Sequence, residues 1–271
     1  MPPTPDHASP TSPLAPTPAA DHELAAILAR EAGELLVDLR VRRVAEGFTG
    51  DGADLLKAEG DRLAHELLMD RLAPRLALGD AVLSEEGKDD PVRLSTQRVW
   101  IVDPLDGTRE FGEPPRTDWA VHVALTIDGV PAAGAVALPA LDLVLSTAEP
   151  PPPPPPMPFK PRVIVSRTRP PAVATFLAEQ LNGELVEMGS AGAKAMAVVR
   201  GEADIYVHAG GQYEWDSCAP VAVALSSGVH CSRIDGSALR YNRADSYLPD
   251  LLLCRPELAE VALATLAAFE D

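Results

Sequence analysis

The sequence predicts an α/β protein of two closely packed halves. Three observations carry this: helix-like then strand-like periodicity over residues 21–146, seven consecutive prolines from Pro150 to Pro156, and alternating strands and helices beyond them. At 271 residues the chain can bury a large core and suffices for one large domain or two packed ones. The expected divisions are a tail over 1–20, an α+β half over 21–147, a proline-rich connector over 148–161 and an α/β half over 162–271.

The tail is rich in Pro, Ala, Ser and Thr, with no basic or apolar targeting pattern, so it reads as a disordered segment. From 21 to about 43, Leu24, Ile27, Leu28, Ala32, Leu35, Leu36 and Leu39 keep the spacing of one helical face. A second helix is expected over 61–76, with Leu63, Leu67, Leu68 and Leu72 inward and Gly60 blurring its start. Strand-like runs follow at 81–83, 98–102, 119–127, 130–138 and 141–146, and their short connections favour antiparallel pairing. No sheet or helix can contain the proline run, which reads as an extended polyproline II connector or exposed loop. Strands are then expected at 162–166, 184–187, 204–207, near 229–232 and at 251–254. Helices are expected from about 170, over 190–200, from about 215 and from 256, with a turn at Asp235-Gly236.

Apolar residues make up 46% of the chain, but their uninterrupted runs fall short of the roughly 20 residues that cross a bilayer, so a soluble protein is expected. Cys218, Cys231 and Cys254 have neither CxxC spacing nor an even count, which argues against a disulfide framework or zinc site and fits the cytoplasm. The net charge of −17 opposes binding to a nucleic-acid polymer or an anionic membrane. A site for an anionic substrate in such a chain needs a cation, which clustered carboxylates can supply by holding a metal.

The most informative stretch is Asp103-Pro104-Leu105-Asp106-Gly107-Thr108, at the end of the apolar run Val99-Trp100-Ile101-Val102. Pro104 forbids a ladder hydrogen bond and Gly107 permits an unusual backbone angle, so two carboxylates are held close at a strand tip. They repel unless a cation lies between them, and Mg²⁺ takes hard oxygen ligands of this kind. A turn in which both aspartates cap backbone amides would read the same way. Two further stretches end in acids: Leu83-Ser84-Glu85-Glu86 closes a strand, and Asp216 follows Trp215 at a helix start, where it would ordinarily be a cap.

Taken together in this order, Leu83-Ser84-Glu85-Glu86, Asp103-Pro104-Leu105-Asp106-Gly107-Thr108 and Trp215-Asp216 resemble the signatures of the inositol monophosphatase superfamily over residues 21–271. The resemblance implies a five-layer α/β/α/β/α sandwich, two or three Mg²⁺ ions and a small phosphorylated substrate. Homodimers are frequent in the superfamily, although no interface signature is legible here. By motif, Glu85, Asp103 and the Leu105 carbonyl would hold one metal, and Asp103, Asp106 and Asp216 a second. Asp61 falls where the family often has a Thr-Asp pair at a further metal, but the Thr position is Gly60 here. The implied reaction is in-line attack on phosphorus by an activated water that Glu85 and Thr108 orient. Gly107 and Thr108 amides would bind phosphate oxygens, with Arg109 close enough to assist.

Residues 106–111, 118–122, 189–196, 208–216 and 239–242 look most like the CysQ branch, which removes the 3′-phosphate of 3′-phosphoadenosine 5′-phosphate. A bisphosphorylated nucleotide needs a second cationic contact, which Lys194, in the first turns of a helix opened by Gly189-Ser190, could supply with that helix's amides. Arg167 and Arg169 are weaker candidates. His122 reads as a hydrogen-bonded core residue and His208 as lining the nucleotide pocket. The nearest alternatives are an inositol phosphate or fructose 1,6-bisphosphate phosphatase, and, from another class, an acidic protein that binds metal or phosphate without turnover.

Overall fold

Helices α1 (Ala19–Ala45) and α2 (Ala53–Leu76) come first and bury Leu28, Leu36, Leu39, Leu56, Leu68 and Leu72 against one face of the first sheet. The structure, a computed structural model, describes residues 14–157 and 159–269, so residues 1–13 of the expected tail and Pro158 lie outside the described residues. Part of the expected tail packs on the fold: the Ala15 amide donates to the Pro131 carbonyl, and α1 starts at Ala19.

The first sheet runs in chain order: β1 (Ala81–Ser84), β2 (Arg98–Asp106), β3 (Ala120–Ile127), β4 (Val130–Leu138) and β5 (Leu143–Ser146). A short helix α3 (Thr108–Phe111) follows β2. One expectation needs correcting: β1 pairs parallel with β2, and only the later pairs are antiparallel. The linker after β1, with its 3₁₀ turn at Pro91–Ser95, is long enough to return the chain to the same sheet edge. Parallel pairing is what sets Glu85 beside Asp103 and Asp106, since both strands then end on the same side.

Beyond the prolines come β6 (Arg162–Ser166), α4 (Ala172–Gln180), β7 (Glu184–Met188), α5 (Ala191–Val199), β8 (Ile205–Tyr213), α6 (Glu214–Ser226), β9 (His230–Ser232), β10 (Tyr247–Cys254) and α7 (Ala259–Leu266). Their strands form a second sheet in the order β7-β6-β8-β10-β9, with β6 parallel to both neighbours and β10 antiparallel to both of its own. The two-residue strand period assigns the faces. Val99 and Ile101 face α5 and α6, while Trp100 and Val102 face α1 and α2. Tyr206 faces α5 and α6 from the second sheet, while Ile205 and Val207 face α4 and α7. The layers are therefore α1/α2, sheet, α5/α6, sheet and α4/α7.

The second helix also begins earlier than expected, placing Gly60 and Asp61 inside it. A Cβ on Gly60 would lie 2.9 Å from Phe111 and 3.0 Å from Leu105, so the glycine serves close packing against the aspartate motif rather than marking where the helix starts. Within the proline run no helix or strand forms, and half-buried positions recur at 151, 154 and 157, the three-residue period of polyproline II. Among the described residues no helix is long and apolar enough to cross a membrane.

Candidate metal and phosphate site

β2 keeps its sheet geometry to Asp106, with a register irregularity against β3 between Asp103 and Asp106. Gly107 then turns at φ 81°, where a Cβ would come within 2.9 Å of the Ser190 Cβ and 3.2 Å of the Asp118 carbonyl oxygen, so a side chain is excluded twice over. This turn aims Asp103 and Asp106 toward the start of α6. Asp103, Asp106 and Asp216 each offer an oxygen within 4.8 Å of the others'.

The two aspartates of the motif have opposite surroundings. Asp103 is buried, and although the Leu105 amide donates to its Oδ1 at 3.0 Å, loss of hydration and the nearby Glu85, Asp106 and Asp216 push its carboxyl well above the usual range. Asp106 is buried too, which alone would raise it, but its neighbours outweigh that. The His122 imidazole lies 3.2 Å away, the Ser190 hydroxyl donates at 2.5 Å, and the Ala191 and Gly192 amides donate at 3.1 and 2.6 Å. These hold Asp106 well below the usual carboxylate range, and Asp106 in turn raises His122 despite its burial. The amides belong to the first turn of α5, so the positive end of that helix joins in.

Both capping and clustering hold at Asp216. Its Oδ2 accepts the Tyr213 amide at 2.6 Å, closing the first turn of α6, yet burial and Asp106 still push the carboxyl to about 7. Glu85 is exposed as a residue, but its carboxyl lies against Asp103; lost hydration, with Asp106, Glu86 and Asp61 nearby, outweighs the hydrogen bond to Asp103 and pushes it to about 7. Asp61 reaches over from α2 and is pushed to about 7 by burial and by Glu86. The Thr108 hydroxyl lies 3.5 Å from Asp61 Oδ1 and donates to the Leu105 carbonyl at 3.0 Å. Five carboxylates thus converge with no Lys or Arg hydrogen-bonded to any of them among the described residues. Hard oxygen donors crowded this closely fit a divalent cation.

Lys194 is placed differently from an open cationic contact. Its ammonium donates to the Gly189 and Ser190 carbonyls at 3.0 and 2.7 Å and lies over the Tyr206 ring, with burial drawing it below its ordinary value. It braces the loop that carries Ser190. Arg167 is likewise committed, to Glu110 and Glu113, whereas Arg109 and Arg169 are exposed.

A family model described as the inositol monophosphatase family matches residues 20–150 and 163–268. The chain belongs to that family. A 3′-phosphoadenosine 5′-phosphate phosphatase from Mycobacterium leprae is 49% identical over 262 residues, covering 91% of this chain and 93% of the relative. The 3′(2′),5′-bisphosphate nucleotidase CysQ of Shigella flexneri is 31% identical, covering 82% and 94%. Among solved structures, CysQ from Bacteroides thetaiotaomicron superposes with a TM-score of 0.74 at 26% identity, covering 88% of this chain and 97% of that one. Inositol monophosphatase II from Staphylococcus aureus gives 0.76 at 21% identity, covering 92% and 96%, which supports the layered fold.

In this member of the inositol monophosphatase family two supporting residues escape motif reading. His122 is the core histidine its strand predicts, its Nδ1 donating to the Trp215 carbonyl at 3.0 Å, but its other nitrogen faces Asp106. Asp118 accepts the Gly189 amide at 2.6 Å and pairs with Arg116, fixing the start of the Ser190 loop. Nothing local marks either role: one follows from β3 lying beside β2, the other from a contact spanning 71 residues.

Proposed function

We propose that this chain is a Mg²⁺-dependent phosphomonoesterase that removes the 3′-phosphate from 3′-phosphoadenosine 5′-phosphate, giving AMP and phosphate in support of sulfate assimilation. The observation that carries the chemistry is the convergence of Asp103 and Asp106 at the end of β2 with Asp216 at the start of α6, with no Lys or Arg hydrogen-bonded to them among the described residues. The substrate follows from the relatives' names. Buried free thiols at Cys218, Cys231 and Cys254 fit a reducing cytoplasm.

Asp103, Asp106, Asp216, Glu85 and the Leu105 carbonyl would hold the metal ions, with Asp61 at a further position. When bound, Mg²⁺ offsets the charge of the phosphoryl oxygens and makes water easier to deprotonate. Glu85, ionised beside the cation, would orient the attacking water and take up its proton. The Thr108 hydroxyl, having given its hydrogen to the Leu105 carbonyl, keeps its lone pairs for the same water. Gly107 and Thr108 amides would face the phosphate oxygens, and the P–O3′ bond breaks as the water oxygen bonds to phosphorus, the departing oxygen taking a proton from solvent. Ser190, with the α5 amides, fixes Asp106 so that the attack stays in line.

A substrate panel under Mg²⁺ tests this reading: kcat/KM for the bisphosphorylated nucleotide should exceed that for inositol 1-phosphate and fructose 1,6-bisphosphate. A value for inositol 1-phosphate far above that for the nucleotide would sink it.

A further inference from the structure

We infer that Arg93 is a positioning residue for the metal site: through Asn242 and Glu214 it sets where Asp216, carried by the second half of the chain, stands relative to Glu85, carried by the first. The inference rests on the reading of these carboxylates as metal ligands and not on the choice of substrate. Arg93 lies in the 3₁₀ turn of the linker between β1 and β2 and is only 1% exposed. Every nitrogen of its guanidinium has a partner. Nε and Nη2 donate to Asp89, four residues beyond Glu85, at 2.6 and 3.0 Å. Nη1 crosses to the second half, donating to the Asn242 side-chain oxygen at 2.9 Å and the Arg243 carbonyl at 2.8 Å. The Asn242 side-chain nitrogen donates back to the Arg93 carbonyl at 2.8 Å.

From Asn242 the path turns to α6. Glu214, the first residue of that helix, is buried, and its carboxylate accepts the Asn242 and Arg243 backbone amides at 2.6 and 2.8 Å, while its own amide donates to the Ser246 carbonyl at 2.8 Å. Asn242 holds φ 58°, a left-handed backbone that asparagine adopts more readily than most residues, and two successive amides converge there on one carboxylate. Asp216 stands two residues beyond Glu214 in the same first turn. The contacts thus close a ring across the two halves, from Glu85 through Asp89, Arg93, Asn242 and Glu214 to Asp216. Packing of α6 on β2, β3 and β4 already holds the halves together. A buried network of charges adds little net stability over apolar packing, but fully bonded it fixes one geometry. Mg²⁺ demands that precision, because it accepts oxygens only in a near-ideal octahedron, so a small shift of Asp216 relative to Glu85 costs affinity.

Calorimetric titration of Mg²⁺ into the metal-free full chain tests this without turnover. Arg93→Lys keeps the charge but cannot form the planar fork, and Asn242→Gly keeps the left-handed turn while removing the side chain. Each should raise the Kd for Mg²⁺ about tenfold or more, as loss of a group that orients metal ligands does. The Mg²⁺ concentration that half-saturates turnover should rise in parallel, with kcat at saturating Mg²⁺ within about threefold of the wild type. Arg255→Ala is the control for stability alone: it breaks a buried ion pair with Asp204, at the opposite end of β8 from α6, and should leave the Kd within about twofold. Variants of Arg93 and Asn242 that lower the urea midpoint yet bind Mg²⁺ as the wild type does overturn the inference and leave the ring a link in the fold only. Should Arg93→Lys fail to fold, Asn242→Gly decides by the same Kd. A wild type that binds no Mg²⁺ overturns the metal-site reading and the inference together.

Discussion

Two of the places where this molecule buries aspartates are built to opposite rules. At the far end of the second sheet, Asp204 is fully buried between two arginines: Arg162 donates from its backbone and Nε at 2.8 and 2.9 Å, and Arg255 Nε donates at 2.6 Å. Burial alone would raise Asp204, but these partners hold it below its ordinary value. At the end of the first sheet, Asp103 and Asp216 have no guanidinium, and both are pushed up. One site is complete within the chain and joins β6 to β10. The other is complete only when a cation is added. A buried carboxylate thus signals function here by what it lacks, since paired buried charges serve structure as often as not.

The largest effect should come from the site that awaits its cation. Asp106→Asn keeps the shape but removes a charge and misplaces the Ser190 hydroxyl, and kcat should fall about 10²–10³-fold; full activity with metal still required would break the assignment of that residue. Next comes the self-sufficient pair. Arg255→Ala leaves Asp204 partly unpaired in the interior and should cost about 3–5 kcal/mol in urea unfolding, with kcat on the surviving folded fraction little changed. A smaller effect separates the two sites by ligand: Mg²⁺ at about 100 times its Kd should stabilise the wild type by about 2.7 kcal/mol over the metal-free protein. Asp106→Asn should lose most of that gain, and Arg255→Ala should keep it.

Much of this contrast was legible in the sequence, and the reason is local. Asp103, Asp106 and Gly107 sit on one turn, where proline and glycine dictate backbone geometry. Glu85 and Asp216 were legible because each closes or opens a regular element beside an apolar run. What escaped depends on how distant elements meet. The parallel pairing of β1 with β2 follows from a crossover whose path periodicity does not encode. Gly60 blurs the start of the second helix until Phe111 and Leu105 are seen against it. Lys194 reads as an open cation, but its ammonium turns back onto carbonyls four and five residues earlier, a contact that side-chain spacing alone does not reveal. Asp204 with Arg162 and Arg255 left no motif, since its partners lie 42 and 51 residues away.

The smallest effect is also the sharpest discriminator, because it fixes the sign of the contrast. Asp204 has a folded-state pKa below its unfolded one, so its contribution is fully present above the unfolded value, about 3.9, and is lost as pH falls through the folded value. Comparing wild type with Asp204→Asn by urea midpoint should therefore show a gap of about 1–3 kcal/mol at neutral pH that narrows below about pH 4. At the other site the same chemical change should run the other way. Asp103→Asn removes one like charge from a crowded, buried group, so the metal-free protein should gain stability at neutral pH, by about 1 kcal/mol, while losing activity. If Asp103→Asn instead destabilises the metal-free protein as Asp204→Asn does, the carboxylates at the end of the first sheet are already compensated within the chain, and the distinction between the two sites fails.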